Sequence, residues 1–232
     1  MPGFHAGARH RYGGEFMKKV LFTDLGNVLV SFWQRVDVLK AIAKSFDGDS
    51  VRVPELFRGA KAGGHQEEDV YSLLDEGKLS LEELFGQFLQ VTGIQPQRLS
   101  YERFFALYTR HLEILPEVVR LYRQVNFPIV VISNGDIGSR HAADLVTCYG
   151  GLKFAHVFCS AEHGARKPEL LALAARWMRL HEIDPNQCLF VDDIQKYCMA
   201  MTEGFGVPSL CFDATKDDVQ VLQATLRQKS FL

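Results

Sequence analysis

Val20-Leu21-Phe22-Thr23-Asp24-Leu25-Gly26-Asn27-Val28-Leu29-Val30 is the stretch that decides the fold. An apolar run of strand type, Val20 to Thr23, stops at a carboxylate and passes at once into a glycine-containing turn. In an open parallel sheet, ligands bind in the crevice beyond the carboxyl ends of the strands, so an acid leaving a strand tip is placed for chemistry. Taken alone, Asp24 reads equally well as a turn residue, because Asp and Gly are both common in turns. The later strand ends settle the choice.

Working outward, apolar runs of strand type recur at Ile129 to Ile132, Val157 to Cys159, Leu189 to Val191 and Ser209 to Phe212. Helical patterns separate most of them: Pro116 to Gln124, Arg140 to Tyr149, Pro168 to His181, Lys196 to Gly204 and, closing the chain, Asp217 to Gln228. Alternating strands and helices predict an α/β fold, a Rossmann-like doubly wound parallel sheet with helices on both faces. The interval between the first strand and Leu115 breaks the alternation and reads as helical. Val36 to Phe46 and Gln66 to Leu74 are amphipathic candidates, and Ser80-Leu81-Glu82-Glu83 is a capping-box start before Leu84, Phe85, Phe88 and Leu89. Tyr101 to Leu112 adds an aromatic face with Phe104, Phe105 and Tyr108, which reads as core packing. The expected organisation is therefore a core from 17–32 and 113–232, with an inserted all-helical cap over 33–112 that can close on a substrate and exclude water.

Composition narrows the function classes. With 232 residues, 47% hydrophobic and 23% charged, the chain can bury a proper core. A net charge of -2 provides no basic field for nucleic acid, and no run of apolar residues is long enough to span a bilayer, so neither nucleic acid nor membrane is an expected partner. The five cysteines are odd in number, without a CxxC pair or a secretory apolar segment. That pattern fits a reducing, cytoplasmic setting, with Cys159, Cys188 and Cys211 as small core residues on strand patterns. Residues 1–16 show no apolar period, precede a second methionine at Met17, and read as a disordered extension outside the fold.

Three further polar constellations sit at strand or helix ends. Val130-Val131-Ile132-Ser133-Asn134-Gly135 places a hydroxyl and an amide at a strand tip, where both can donate to an anion. In Gly164-Ala165-Arg166-Lys167-Pro168-Glu169, Pro168 suits the first helical position and leaves Lys167 at the helix entrance, able to reach a phosphate as a point charge. Leu189-Phe190-Val191-Asp192-Asp193 ends a strand on adjacent carboxylates, which repel unless a cation compensates them; with Asp24 they offer hard oxygen ligands of the kind Mg²⁺ takes. Each has a plain structural reading as well: a common loop tripeptide, a solvated Lys-Pro, a pair of exposed loop acids.

Taken in order, Asp24 in LFTDLGNVLV, Ser133 in VVISNG, Lys167 in GARKPE and Asp192-Asp193 in LFVDD resemble the four motifs of the haloacid dehalogenase-like hydrolases, over nearly all of residues 17 to 213. The helical interval looks like the type-one cap of that superfamily, and Asp-Leu-Gly-Asn-Val resembles a branch containing sugar-phosphate phosphatases. The resemblance implies hydrolysis of a small phosphorylated metabolite through an aspartyl-phosphate on Asp24, with Lys167 as a further catalytic residue. It also implies Mg²⁺ held by Asp24, the Gly26 backbone carbonyl and Asp193, with Asp192 assisting. Ser133, Asn134 and Lys167 would neutralise the phosphoryl oxygens.

Two positions depart from the family pattern. Gly26 stands where most phosphatases of the family carry a second aspartate, the general acid. Its absence is compatible with an activated leaving group such as an anomeric or acyl phosphate, with an acid supplied by the cap from His65, Glu67 or Glu68, or with a slow, degenerate protein. Tyr197 replaces a polar residue that tends to orient the lysine, which implies a less firmly held Lys167. Two rival functions use the same framework. A 2-haloacid dehalogenase would use Asp24 but usually lacks the acids seen at Asp192-Asp193, and a non-catalytic scaffold would bind a phosphorylated ligand or a protein partner without turnover.

Overall fold

A computed structural model of the chain describes residues 19–32, 34–57, 70–110 and 112–232; the expected extension at 1–16 lies outside the described residues. The chain enters on β1 (Leu21–Thr23) and turns into β2 (Val30–Phe32). It then runs through α1 (Arg35–Ser45), a 3-10 turn at Val53–Phe57, α2 (Val70–Asp75), α3 (Leu81–Thr92) and α4 (Tyr101–Thr109). β3 (Leu112–Ile114) closes this interval by pairing antiparallel with β2, Val30 opposite Ile114. Alternation resumes with α5 (Pro116–Tyr122), β4 (Ile129–Ser133), α6 (Ile137–Gly150), β5 (Phe154–Cys159), α7 (Ser160–His163) and α8 (Glu169–Leu180). β6 (Leu189–Asp192), α9 (Gln195–Phe205), β7 (Ser209–Cys211) and α10 (Val219–Gln228) complete the fold.

The central sheet has the order β5-β4-β1-β6-β7, and every neighbouring pair is parallel. From β1 the chain builds outward to β5, then returns to build the other side through β6 and β7. The direction of winding therefore reverses between β1 and β6, where such sheets open a crevice at their carboxyl edge. Asp24 follows β1 and Asp192 ends β6, so both acids border that crevice. Successive residues point to opposite faces of the sheet. Leu21, Val131 and Val191 pack with Val119, Val146 and Leu222, whereas Phe22, Val130 and Phe190 pack with Leu171, Ala174 and Met201. Burial on both faces is why these strands read as continuous apolar runs.

The interval between β2 and β3 has its own core, in which Leu39, Leu74, Leu84, Phe88 and Phe104 are fully or almost fully buried. The capping box forms as expected. Ser80 Oγ accepts from the Glu83 amide at 3.1 Å, Glu83 Oε2 accepts from the Ser80 amide at 2.8 Å, and Gly93 ends α3 in the left-handed region. Gly77, with φ +66°, lets this helical unit approach the sheet unit, since a Cβ there would lie 2.3 Å from the carbonyl oxygen of Ala161.

Several local expectations need correction. The interval is not helical throughout, because β2 and β3 are too short to show a period and Leu112 belongs to a strand rather than to the helix before it. β5 begins at Phe154 instead of Val157; it is an edge strand whose Ala155 and His156 are exposed, so no apolar run marks its start. α6 begins at Ile137 instead of Arg140, because Asp136 caps it by accepting from the Gly138 amide at 2.7 Å. Pro168 occupies the N-cap of α8 rather than its first turn, after a cis Lys167-Pro168 peptide. Cys211 is exposed, whereas Cys198 of α9 is buried, as are Cys159 and Cys188.

Two substitutions separate local from tertiary stabilisation in the helical unit. Ser80→Ala removes a cap and should cost about 1 kcal/mol. Phe88→Ala empties a fully buried site whose ring lies 5.4 Å from that of Phe104, and should cost about 3–5 kcal/mol in urea unfolding.

Candidate active site

Asp24 arrives at the crevice because its amide still belongs to the sheet, donating to the Val191 carbonyl at 2.7 Å, while its side chain is released beyond the last strand residue. Asp24 Oδ1 accepts from the Leu25 amide at 2.7 Å, which pins the carboxylate over the turn. The turn folds back on itself, with the amides of Leu29 and Val30 both donating to the Leu25 carbonyl. Asn27 sits in it at φ 53°, a left-handed conformation that Asn tolerates better than most residues. From there its Nδ2 donates to Asp193 Oδ2 at 3.0 Å.

Lys167 is the centre of the arrangement. Its ammonium is buried and lies 3.1 Å from Asp24 Oδ2 and 2.6 Å from Asp192 Oδ2. Burial works against its charge, but Asp24 and then Asp192 outweigh that, so its pKa is raised and the lysine stays protonated. Tyr197 strengthens this placement, contrary to the expectation drawn from sequence. Its ring lies under the ammonium at 5.0 Å, and its hydroxyl accepts from Asn134 Nδ2 at 3.2 Å. Asn134 Oδ1 in turn accepts from the Lys167 amide at 2.7 Å, so the amide side chain holds the lysine backbone. Ser133 ends β4 nearly completely buried, and its hydroxyl makes no hydrogen bond among the described residues.

Asp24, Asp192 and Asp193 each present an oxygen within 4.8 Å of the others. The three carboxylates face one ammonium, and the imbalance shows in their proton affinity. Burial first, then the neighbouring Asp24, lift Asp192 to about 7 against the pull of Lys167; burial likewise raises Asp193, opposed by the Asn27 bond. Hard oxygens with excess negative charge fit a divalent cation such as Mg²⁺. The two adjacent acids have different occupations. Both Asp192 oxygens already accept bonds, from Lys167 and from the Ile194 amide at 2.9 Å, whereas the only hydrogen bond to Asp193's carboxylate among the described residues is that from Asn27.

Gly26, the site of the missing acid, is crowded by the Phe32 side chain, which would have to shift to admit a side chain there. A Cβ would come within 3.0 Å of Cε2 of Phe32, whose ring covers that face of the turn. The sequence-derived candidates His65, Glu67 and Glu68 lie outside the described residues. Sequence reasoning missed Asn27 and Arg35, and it also missed Asp136, which follows Asn134 by two residues. All three line a cavity of about 270 Å³ beside Asn134, between the sheet edge and the helical unit.

No protein-family model and no curated protein matches the chain. Solved structures do. A haloacid dehalogenase family enzyme from Bacteroides thetaiotaomicron, in complex with magnesium and inorganic phosphate, superposes with a TM-score of 0.62 at 18% identity, covering 88% of this chain and 98% of that one. A HAD-like family hydrolase from Porphyromonas gingivalis gives a TM-score of 0.63 at 19% identity over 91% of this chain and 98% of that one. A 2-haloacid dehalogenase from Pseudomonas syringae gives 0.54 at 18% identity, covering 87% and 89%. These likenesses establish the fold, a Rossmann-like α/β core of the haloacid dehalogenase type.

The metal-free site should make stability depend on pH. A carboxyl with a folded-state pKa near 7 against 3.8 in the unfolded chain takes up a proton on folding, so stability falls as pH rises from about 4 through about 7. Urea unfolding with chelator at pH 5 and pH 8 should show that loss, and Asp192→Asn should flatten it.

Proposed function

We propose that the chain is a Mg²⁺-dependent hydrolase of small phosphate monoesters in which Asp24 is the nucleophile. The observation that carries this reading is the position of Asp24 at the reversal of the sheet, bonded to a buried Lys167 and clustered with two further carboxylates. The fold likeness to an enzyme whose structure contains magnesium and phosphate supports it.

In this mechanism a carboxylate oxygen of Asp24 forms a bond to phosphorus as the bond to the leaving oxygen breaks, and water then hydrolyses the aspartyl-phosphate. Carboxylate attack by Asp24 uses an oxygen lone pair and calls for no separate general base. Lys167 neutralises charge on the transferring oxygens, helped by the Ser133 hydroxyl, while Asn134 acts mainly by holding Lys167. Asp24, Asp193 and the Gly26 carbonyl are the residues that would hold Mg²⁺, with Asp192 as the partner that orients Lys167. Bound there, the cation supplies the positive charge that three carboxylates and a phosphate require. Gly26 offers no proton to the leaving oxygen, which favours an activated leaving group or a proton from the cap.

A dehalogenase reading draws on the same absence of an acid at Gly26 and on the likeness to 2-haloacid dehalogenases. It is separated by product: chloride released from a 2-haloacid without metal, as against phosphate released with it. Para-nitrophenyl phosphate hydrolysis should require Mg²⁺, stop with chelator, and disappear in Asp24→Asn. Turnover that survives Asp24→Asn rejects the covalent mechanism, and its absence in the intact chain favours the scaffold reading.

Restoring the acid tests the role of Gly26. Gly26→Asp alone should meet the Phe32 ring and gain little. Combined with Phe32→Ala, it should raise turnover of poor-leaving-group esters by about 10²-fold or more, within the usual range for general acid catalysis, with a smaller effect on para-nitrophenyl phosphate. Equal effects on both substrate types reject leaving-group protonation as the limiting step.

A further inference from the structure

The cavity beside Asn134 is lined by Arg35, Tyr108 and Asp136, which belong to a part-buried ionic network that the proposed chemistry does not use. Arg35 Nη2 lies 2.7 Å from Asp75 Oδ1 and 3.5 Å from Asp136 Oδ2. Asp75 is also paired with Arg166 at 3.3 Å, and the Tyr108 hydroxyl donates to Asp136 Oδ2 at 2.9 Å. Burial and the adjacent Asp136 hold the Tyr108 proton well above its ordinary range, so this hydroxyl remains a donor. Two guanidinium groups thus balance two carboxylates in the network, and the pair that lines the cavity, Arg35 and Asp136, carries no net charge.

Neutral overall, the wall is still strongly polar. Arg35 uses only Nη2 in these pairs; its Nε and Nη1 have no hydrogen-bond partner among the described residues. The cavity is lined by Arg35 and Asp136 together with the apolar side chains of Phe32, Val38 and Leu112. A further anion on a bound molecule would meet Asp136, and a cation would meet Arg35. Hydroxyl groups donate and accept at once and satisfy both, while the C–H face of the same molecule can lie on the apolar side.

We infer that Arg35 and Asp136 are specificity-determining residues that select a neutral, polyhydroxylated leaving group, an assignment that rests on the phosphate-monoester reading of Asp24. The pair sorts substrates by charge balance. Removing Asp136's charge leaves a net positive wall that favours an anionic leaving group, and removing Arg35's leaves a net negative wall that rejects one.

Opposite variants test this by sign. Specificity constants, kcat/KM, are measured for an anomeric hexose phosphate and for the matching uronate phosphate, in which a carboxylate replaces the terminal hydroxymethyl group, with para-nitrophenyl phosphate as reference. The intact chain should prefer the hexose phosphate. Asp136→Asn, which keeps a good N-cap for α6, should shift the uronate-to-hexose ratio upward by about tenfold, and Arg35→Gln should shift it downward by about as much. Thermal melts verify folding, and Asp136→Ser and Arg35→Met carry the same sign criterion should either first variant not fold. A ratio that stays put, or moves the same way in both variants while para-nitrophenyl phosphate is still hydrolysed through Asp24, overturns the inference alone. Failure of the intact chain to release phosphate from any of the three esters overturns the phosphate-monoester reading, and the inference with it.

Discussion

A protonated lysine buried between two carboxylates is the constraint on which the site depends. An ammonium removed from water is costly unless charged partners sit within hydrogen-bonding distance, and Lys167 has Asp24 at 3.1 Å and Asp192 at 2.6 Å. Those partners come from different strands, so the pairing requires β1 and β6 to be parallel neighbours with their carboxyl ends level. The register supplies this, placing Thr23 opposite Val191 immediately before the two acids. Tyr197 and Asn134 then hold the lysine from α9 and from the end of β4, the first at its ammonium and the second at its backbone, so four separate segments converge on one residue. With a third carboxylate nearby, negative charge still exceeds positive, and that excess is what suits the crevice to a divalent cation.

A second layer of charge links the helical unit to the same loops. Asp75 of α2 pairs with Arg166, the residue before Lys167, and Arg35 of α1 pairs with Asp136, three residues beyond Ser133. The helical unit is therefore attached to the loops that carry Asn134 and Lys167, and its close approach at Gly77 leaves no room for a side chain between them. Phe32 belongs to the same seam. Its ring crowds Gly26 and also lines the adjoining cavity, so the turn after Asp24 and the cavity share one aromatic side chain.

Much of this was legible in the chain itself. Strands buried on both faces must be continuous apolar runs, so β1, β4 and β6 were visible, and the polar residues that end them mark the edge where the acids and Lys167 meet. The capping box at Ser80 was equally legible, because its bonds lie within four residues. β5 was misplaced at its start because an edge strand exposes its residues, and β2 and β3 were missed because three residues show no period.

What tertiary structure alone decided are relations between distant segments. The resemblance implied Asp193 as a metal ligand with Asp192 assisting; the structure bonds Asp192 to Lys167 and Asp193 to Asn27, a distinction that depends on which way each side chain leaves the end of β6. Tyr197 read as a weakened contact, yet its ring reaches Lys167 from across the crevice. Arg35 and Asp136 carry no local signal, since a helix-start arginine and an N-cap aspartate are ordinary, and only the docking of the helical unit brings them within 3.5 Å. Local chemistry is written in spacing along the chain, whereas charge balance in a crevice is a sum over groups that only the fold makes neighbours.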